Sequence, residues 1–335
     1  MSDLSPVSAP LDGRRVVVRG SGSIGQRHAR VLAMLGADVA TWPVRPRAGA
    51  SDSSGPAVHI LDDASGPAAL AAADLVVVAT DTARHVRDTI EALDAGTGRI
   101  LVEKPLAPTA AAAQPLASHP RARDVWVAAP LRAHAGFRHL LTLVDVVGRP
   151  ASAHVRCQSW LPDWRPERDY RASYSARADE GGVLRDLVHE LDYAEVLFGR
   201  PSTLAAHLDH AGPLDIEAEQ AATLLWQTAT ATVTCRLDYI TRPPTRGITI
   251  HGPEGSLEWD LPTATVTHLD ATGRATTRSF PADLDRDTIM ATQARAALEV
   301  TPGAAPAQRH TAGAPATLAE GLATLGLCDH ARAIS

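Results

Sequence analysis

A short apolar strand that runs into a glycine-rich turn constrains this chain more than any other stretch. The apolar run 16–18 precedes a G-x-G-x-x-G pattern, and a helical segment follows up to Gly36. In such a turn the first glycine permits the tight bend, the second lets the backbone approach a pyrophosphate, and the third lets the helix pack on the strand. The helix N-terminus offers free N–H groups and the positive end of its dipole to phosphates. The residues expected to contact a dinucleotide are Gly20, Gly22, Ser23, Ile24 and Gly25. A tight βα turn without any ligand is the alternative interpretation.

The composition is that of a soluble globular protein large enough for two domains. The chain has 335 residues, 45% of them hydrophobic, and a net charge of −6. Acidic and basic residues are interspersed, which argues against nucleic acid and membrane surfaces as partners. The N-terminus lacks a signal-peptide pattern, and no run of about 18 apolar residues is present. The three cysteines are far apart, so we expect buried thiols in a reducing cytoplasm and neither a disulfide nor a metal site.

The second predicted strand, 38–42, bears on the choice of cofactor. An acidic residue at the end of this strand would bind the ribose 2′-hydroxyl and select NAD, but the chain continues with Pro43 instead. Arg45 or Arg47 is able to pair with a 2′-phosphate. The sequence therefore favours NADP over NAD, with solvated loop arginines as the alternative.

A second cluster of candidate cofactor contacts follows the apolar strand at 74–80. Ligands of open α/β sheets bind beyond the carboxyl ends of strands, so this turn is expected to face the cofactor. Asp81 or Thr82 would also serve as N-cap of the next helix, and that structural role alone would explain it. The candidates are Thr80, Asp81, Thr82 and His85.

The next apolar strand ends in Glu103-Lys104-Pro105. Two charges at the carboxyl end of a buried strand, beside a phosphate site, are an unusual placement, for which a functional lysine and a surface lysine are the two interpretations. Glu103 and Lys104 are therefore added to the expected cofactor contacts, and Lys104 is a candidate catalytic residue.

These motifs together resemble the Gfo/Idh/MocA family of oxidoreductases. The resemblance rests on the glycine turn at 20–25, on Ala79-Thr80 with His85, and on Glu103-Lys104-Pro105, in that order and spacing. It implies an α/β N-terminal Rossmann domain and an α+β C-terminal domain with a large open, mostly antiparallel sheet. It also implies hydride transfer between a nicotinamide cofactor and a hydroxyl or keto carbon of a sugar or cyclitol. Lys104 would reach the substrate hydroxyl and the nicotinamide ribose, in a turn that often has a cis Glu-Lys or Lys-Pro bond. Association as a homodimer or homotetramer through the large sheet is a further implication.

Two later stretches supply candidates for the substrate. Where the family has an arginine, an aromatic and a histidine, this chain has Arg132, Ala133 and His134, so Arg132 is the candidate. His134 and His139 do not share one helical face, and a metal pair is not expected. The loop 160–174 concentrates aromatics and arginines, which suit sugar C–H faces and a carboxylate or phosphate. An ordered surface loop is the alternative. Its candidates are Trp164, Arg165, Tyr170, Arg171 and Tyr174.

A helix entered through Gly181-Gly182 carries the remaining polar candidates. Asp186, His189 and Asp192 recur three residues apart, so on one helix they would share a face, and a carboxylate beside an imidazole makes a proton relay. A merely amphipathic helix is the alternative. The family resemblance implies that His189 takes a proton and that Asp186 or Asp192 orients it. Asp192 is also a candidate for substrate binding, and the shorter Asp186–His189 spacing departs from most members.

The predicted organisation is a flexible N-terminus at 1–12, a dinucleotide-binding domain at 13–130, a substrate and oligomerisation domain at 131–316, and a C-terminal helix at 317–335 that packs back on the first domain. Successive strand patterns between 203 and 260 favour an antiparallel sheet. Arginines at 242 and 246 are placed to reach the site from the sheet edge, and 303–315 has the composition of a mobile loop. Two functional alternatives stay open: a lyase or glycosidase that recycles its nicotinamide through a transient keto sugar, and a non-catalytic NAD(P)-binding sensor.

Overall fold

A parallel sheet with helices on both faces forms the N-terminal half of the computed structural model, which describes residues 11–45 and 58–335. Its elements are β1 (Arg15–Arg19), α1 (Ser23–Met34), β2 (Asp38–Trp42), β3 (His59–Ile60), α2 (Gly66–Ala72), β4 (Leu75–Val78), α3 (His85–Asp94), β5 (Ile100–Val102), α4 (Gln114–Ala117) and β6 (Val125–Val127).

The remaining elements of the described chain are α5 (Ala135–Leu143), β7 (Ser152–Trp160), α6 (Val183–Asp186), α7 (Val188–Phe198), β8 (Thr203–Asp209), β9 (Ala221–Gln227), β10 (Thr232–Asp238), β11 (Ile240–Gly252), β12 (Gly255–Asp260), β13 (Thr265–Asp270), β14 (Ala275–Ser279), α8 (Arg286–Glu299), α9 (Pro306–Ala312), β15 (Ala316–Thr317) and α10 (Leu318–Ile334).

The first sheet has the order β15-β6-β5-β4-β1-β2-β3. All its neighbouring strands are parallel except β15, which pairs antiparallel with β6 at one edge. The strands β4, β5 and β6 are fully buried and wholly apolar, as expected for strands covered on both faces. This is the predicted Rossmann domain, and its carboxyl-end edge brings the glycine turn close to the ends of β4 and β5.

The second sheet has the order β14-β13-β12-β11-β7-β10-β9-β8 and is antiparallel except for the pair β7 and β10. Apolar residues of α5, α6, α7 and α10 form one core against a single face of it. The C-terminal domain is therefore the large open, mostly antiparallel sheet that the resemblance implied. The three cysteines are buried and free, as expected.

The end of the chain returns to the first domain. Helix α8 packs on α1, and β15 extends the first sheet. The return to the first domain therefore begins earlier than residue 317, the boundary predicted from the sequence. Helix α10 contacts β6 of the first domain and also α7 and β8 of the second. A capping box fixes its start: Thr317 Oγ1 accepts from the Glu320 N–H, and Glu320 accepts from the Thr317 N–H.

Two predictions about helices were wrong. The continuous helix expected after Gly182 is interrupted at Leu187, which leaves Asp186 in α6 and places His189 and Asp192 in α7. The stretch 303–315, expected to be a mobile loop, contains α9. Within the described ranges, no helix combines the length and apolarity needed to cross a membrane.

Candidate active site

The glycine turn after β1 has two glycines fixed by packing and one that faces open space. Gly20 has φ +111°, and a Cβ there would lie 2.5 Å from the Ala79 main-chain oxygen. A Cβ on Gly25 would lie 2.3 Å from the main-chain oxygen of Gly20. A Cβ on Gly22 would meet no protein atom within 4 Å. The space beside Gly22 is therefore open to a ligand, which fits the role predicted for it.

A buried polar atom lies at the same edge of the sheet. The Oγ1 atom of Thr80, directly after β4, is buried and has no hydrogen-bond partner among the described residues. An unsatisfied buried hydroxyl is unfavourable, so a polar ligand atom at this position would be stabilising. Asp81 and Thr82 begin a 3₁₀ turn without the side-chain cap considered for them. Together with the glycine turn, these features fit a bound dinucleotide.

Arg19, the last residue of β1, places a positive charge at the end of β2. The sequence prediction did not include this residue. The Arg19 guanidinium lies over the Trp42 indole, 3.9 Å from the ring centroid, and is buried. Its Nη1 donates to the main-chain oxygens of Trp42 at 3.1 Å and Pro43 at 2.9 Å. The position of Arg19 directly after three valines could have indicated from the sequence that this arginine has a specific role. Arg45 is exposed, and Arg47 lies outside the described residues.

The turn that carries the lysine is held from both sides. Glu103 Oε1 and His28 Nε2 lie 2.7 Å apart, which joins the turn to α1. Burial acts to raise the pKa of Glu103, but the hydrogen bond and charge of His28 prevail and hold this pKa below its ordinary value. His28 was missed as a site residue, although a histidine three positions after Gly25, on the buried side of α1, could have marked it.

His85 supports the same turn. Its ring nitrogens lie 2.8 Å from the Pro105 main-chain oxygen and 3.0 Å from that of Thr80, and the side chain is buried. Both nitrogens thus face the protein, and the direct cofactor contact predicted for His85 is not supported by this geometry. The Lys104–Pro105 peptide bond is cis, one of the two forms implied by the resemblance.

Lys104 crosses from the first domain to the second. Its Nζ donates to the Asp186 main-chain oxygen at 2.9 Å and lies 3.4 Å from Asp186 Oδ1. Burial alone would lower the pKa of Lys104, but Tyr174 and the carboxylates of Asp186 and Glu103 raise it above its ordinary value. Lys104 is also the only lysine in the sequence, since every other residue among the 32 Lys and Arg is arginine. The uniqueness of this lysine could be seen in the sequence, but it was not used as an indication of function.

Asp186 is the centre of a buried hydrogen-bond network. Its Oδ1 accepts from the Tyr174 hydroxyl and faces Lys104. Its Oδ2 accepts from the Ser175 hydroxyl at 2.6 Å and the Tyr239 hydroxyl at 2.7 Å. Tyr239 was not predicted, because it lies 53 residues from Asp186 and nothing local connects them.

His189 lies beside Lys104 and has no hydrogen-bond partner among the described residues. It lines a cavity of ≈ 30 Å³ together with Lys104 and Asp192. Within residues 11–45 and 58–335, no hydrogen bond joins its ring to either predicted carboxylate. The expectation that Asp186 or Asp192 orients this ring was therefore wrong. Burial, followed by the positive charges of Lys104 and Arg246, holds the pKa of His189 well below its ordinary value, so the imidazole is neutral.

Arg132 and Asp192 pair with each other. Arg132 Nε and Nη2 donate to the two Asp192 carboxylate oxygens at 2.8 and 2.7 Å, and both residues are buried. Arg132 Nη1 donates to Glu320 at 2.8 Å. The prediction that these two side chains bind substrate does not match this geometry, because their polar atoms are committed to joining β6, α7 and α10.

The aromatic loop 160–174 contacts the network around Asp186 through Trp164 and Tyr174. The Trp164 ring meets the Tyr239 ring edge-on at 5.4 Å, and Trp164 Nε1 donates to Ser159 Oγ at 2.9 Å. Arg171 pairs with Asp169, and Tyr170 is partly buried beside it. Trp164 is 41% exposed, so much of its ring is available for contact.

Arginines from several elements lie around the mouth of this site. Arg246, on β11, forms a two-bond ion pair with Glu190 at 2.6 and 3.1 Å, and its charge acts on His189. Burial, then the charges of Arg27, Arg246 and Arg165, lower the pKa of the Arg286 guanidinium. The charge of Arg246 thus acts on His189, whereas Arg242 pairs with Asp163 on the loop.

Comparison with known families shows the family to which this chain belongs. Residues 14–129 match the profile described as oxidoreductase family, NAD-binding Rossmann fold, and residues 137–258 match the Gfo/Idh/MocA C-terminal domain. The chain belongs to the Gfo/Idh/MocA oxidoreductase family. It is therefore an NAD(P)-dependent dehydrogenase or reductase, and the second match includes Asp186 and His189.

Solved structures with the same fold include several Gfo/Idh/MocA-like enzymes. UDP-N-acetylglucosamine 3-dehydrogenase GnnA from Acidithiobacillus ferrooxidans is 19% identical with a TM-score of 0.74, and the match covers 96% of this chain and 97% of that chain. Levoglucosan dehydrogenase in complex with NADH is 18% identical with a TM-score of 0.75, covering 96% of each chain. Biliverdin reductase from Synechocystis sp. PCC 6803, with biliverdin and NADP+, is 20% identical with a TM-score of 0.70, covering 95% of this chain and 98% of that chain. At these identities the likeness establishes the fold. A search of curated protein sequences found no match.

Proposed function

We propose that this oxidoreductase transfers a hydride between NAD(P) and a hydroxyl or keto carbon of a sugar, sugar derivative or cyclitol. The observation that carries the proposal is the bond from the Lys104 amine to Asp186 across the two domains, beside the unpartnered imidazole of His189. Interconversion of an alcohol and a ketone requires a cation that stabilises the substrate oxygen and a base that accepts its proton. Lys104 and His189 line one cavity and are groups of these two kinds.

His189 is the proton acceptor in the oxidation direction. Its ring is neutral because burial and the charges of Lys104 and Arg246 oppose protonation. With no protein partner among the described residues, a ring nitrogen is free to accept the proton of a substrate hydroxyl. In the reverse direction the same nitrogen would return that proton to the carbonyl oxygen.

Lys104 stabilises the negative charge that develops on the substrate oxygen. The amine stays protonated because its pKa is raised, and Asp186 holds it in place through a main-chain and a side-chain contact. NAD(P), when bound, supplies or accepts the hydride. The residues proposed to hold the cofactor are those of the glycine turn and the end of β4, namely Gly20, Gly22, Ser23, Ile24, Gly25, Thr80, Asp81 and Thr82.

The cofactor preference that we propose is NADP. Trp42 and Pro43 end β2 without an acid, and Arg19 and Arg45 bring positive charge to that end. A 2′-phosphate is favoured by such charge, whereas a bare ribose hydroxyl gains less from it. Arg47 belongs to the same proposal on sequence grounds.

The substrate proposed here carries an anionic group beside its hydroxyls. Arg165 and Arg286 have no carboxylate within ion-pair distance among the described residues, and the charges of Arg27, Arg246 and Arg165 all act on Arg286. Mutual repulsion of this kind is relieved by a bound carboxylate or phosphate. Trp164 and Tyr170 would cover the apolar face of the sugar ring, with Arg171 at the rim.

The experiment that tests this function combines a binding screen with a turnover assay. At equal concentrations, NADP should raise the melting temperature more than NAD does, because a ligand that binds only the folded state stabilises it more as its dissociation constant falls. A panel of nucleotide sugars, sugar acids and cyclitols is then assayed for net formation of reduced cofactor. Product without net change in the cofactor would indicate a nicotinamide-recycling lyase instead, and cofactor binding without any turnover would indicate a sensor.

We further propose that the chain acts in the cytoplasm as a homodimer or homotetramer through the open face of the second sheet. Leu225 on β9 and Leu269 on β13 are 46% and 40% exposed, so apolar area is available there. Light scattering on the purified chain, with Leu225→Arg as the variant, tests the association. A monomer in both cases would contradict it.

A further inference from the structure

The Asp186 carboxylate has no free hydrogen-bonding capacity left for His189. Oδ1 faces the Tyr174 hydroxyl and the Lys104 amine, and Oδ2 accepts from Ser175 and Tyr239. A carboxylate offers about four acceptor positions, so these four donors use them. Asp186 is only 3% exposed, so these four protein donors, rather than solvent, hold its carboxylate in place.

The hydroxyl donors come from the two segments that hold the aromatic loop. Tyr174 closes the loop, and Ser175 follows it directly. Tyr239 lies between β10 and β11, and its ring supports Trp164 in the middle of the loop. The position of the loop and the position of Asp186 are therefore set by the same two tyrosines.

Asp186 in turn sets the position of the lysine. Lys104 Nζ is held by the Asp186 main-chain oxygen at 2.9 Å and by Oδ1 at 3.4 Å. A displacement of the loop would alter the donors on Asp186 and, through them, the direction of the amine. The Tyr174 hydroxyl also lies close enough to act on this amine directly, whereas Tyr239 is connected to it only through Asp186.

We propose that Tyr174 and Tyr239 are positioning residues that connect the aromatic loop, through Asp186, to the amine of Lys104. The inference rests on the proposed function, since it assigns these tyrosines to the same reaction. It means that a substrate seated under the loop would also set the geometry of the lysine that meets its oxygen.

The sole lysine makes the test direct. In protein grown with isotope-labelled lysine, the Cε of Lys104 gives the only lysine side-chain signal in a nuclear magnetic resonance spectrum. Tyr174→Phe and Tyr239→Phe should each shift or broaden that signal, and Ser175→Ala serves as a smaller change should either variant fold poorly. Tyr193→Phe is the matched control, because this buried hydroxyl donates to the Gly247 main-chain oxygen at 3.2 Å, away from Asp186.

The proposal predicts that the control spectrum superimposes on that of the wild type, while the spectra of the tyrosine variants at 174 and 239 do not. It also predicts that these two variants lower kcat by roughly 10- to 100-fold with the KM for cofactor unchanged. Lysine signals that coincide in all folded variants would overturn it. If the wild type turns over no member of the substrate panel, the proposed function fails, and the lysine signal still decides the positioning role.

Discussion

At the scale of single residues, the site depends on a lysine that stays charged against the effect of burial and a histidine that burial keeps neutral. Burial would discharge Lys104, yet Tyr174, Asp186 and Glu103 keep it charged. His189 has no such compensation and stays neutral. Lys104 and His189 could be predicted from motifs, since each lies within a short pattern. Tyr239 could not be placed, because only the folded sheet brings it near α6.

Replacement of Asp186 by asparagine should lower the pKa of Lys104. The variant removes a negative charge while the burial of the amine persists, so burial is then less opposed. Titration of the single labelled lysine against pH measures this pKa directly. The wild-type amine should stay protonated to higher pH than the amine of Asp186→Asn, and coincident titration curves would show that Asp186 does not hold the charge.

Replacement of His189 by alanine should lower turnover by at least ~100-fold, the usual scale for a general acid–base group. Cofactor affinity should stay close to that of the wild type, since the glycine turn is untouched. His139→Ala is the matched control, because this histidine lies on α5 against Phe280 and outside the proposed site. Equal turnover in His189→Ala and the control would remove His189 from the mechanism.

At the scale of elements, apolar runs predicted the strands β1, β4, β5 and β6 closely, because buried parallel strands are mostly apolar. Strand β7 was predicted from the alternation of polar and apolar residues, which matches its one buried face. The helix after Gly182 was predicted as one segment, and its periodicity continues through Leu187. The interruption there accompanies the contacts of Asp186 with Ser175 and Tyr239, which are tertiary. A local sequence pattern does not report such contacts. The sequence alone therefore could not show that Asp186 and His189 lie on two helices instead of on one face of a single helix.

The glycine turn gives a prediction that separates folding from binding. Gly22→Ala should keep the thermal stability of the wild type, because its Cβ meets no protein atom within 4 Å, and should weaken binding of NADP and NAD. Gly25→Ala should destabilise the fold by about 1–3 kcal/mol, because its Cβ would press on the Gly20 main-chain oxygen. Calorimetric titration and denaturant unfolding measure the two effects. Unchanged cofactor affinity in Gly22→Ala would place the dinucleotide elsewhere.

At the scale of the whole molecule, polar contacts between the domains explain why several predicted substrate residues have other roles. Arg132 reaches Asp192 and Glu320, which are 60 and 188 residues away in sequence. Arg309 adds to the same cluster through Glu320. In the sequence, Arg132 follows a strand and was therefore predicted to be a site residue. The sequence does not show that its partners are Asp192 and Glu320.

Stability should fall on acidification, in part because of His134. Burial, helped by Arg246, lowers the pKa of His134 to about 4, although Asp283 opposes this. Since the unfolded chain takes up the proton at higher pH than the folded chain, stability is complete above the ordinary histidine pKa and is lost as the pH falls toward the folded value. The melting temperature of His134→Gln should therefore decline less than that of the wild type between about pH 7 and about pH 5. Parallel curves for the two proteins would contradict this.

The central claim is that Lys104 stabilises the substrate oxygen while the nicotinamide cofactor would exchange a hydride with the carbon that bears it, in a cleft between the two domains. The most direct measurement is the rate at which reduced nicotinamide forms, by its near-ultraviolet absorbance, with NADP and the substrate panel, for the wild type and Lys104→Ala. The account predicts turnover by the wild type on a hydroxylated, anionic, sugar-like substrate. It predicts a rate at least ~100-fold lower in Lys104→Ala with NADP affinity retained. Equal rates in the two proteins would contradict it.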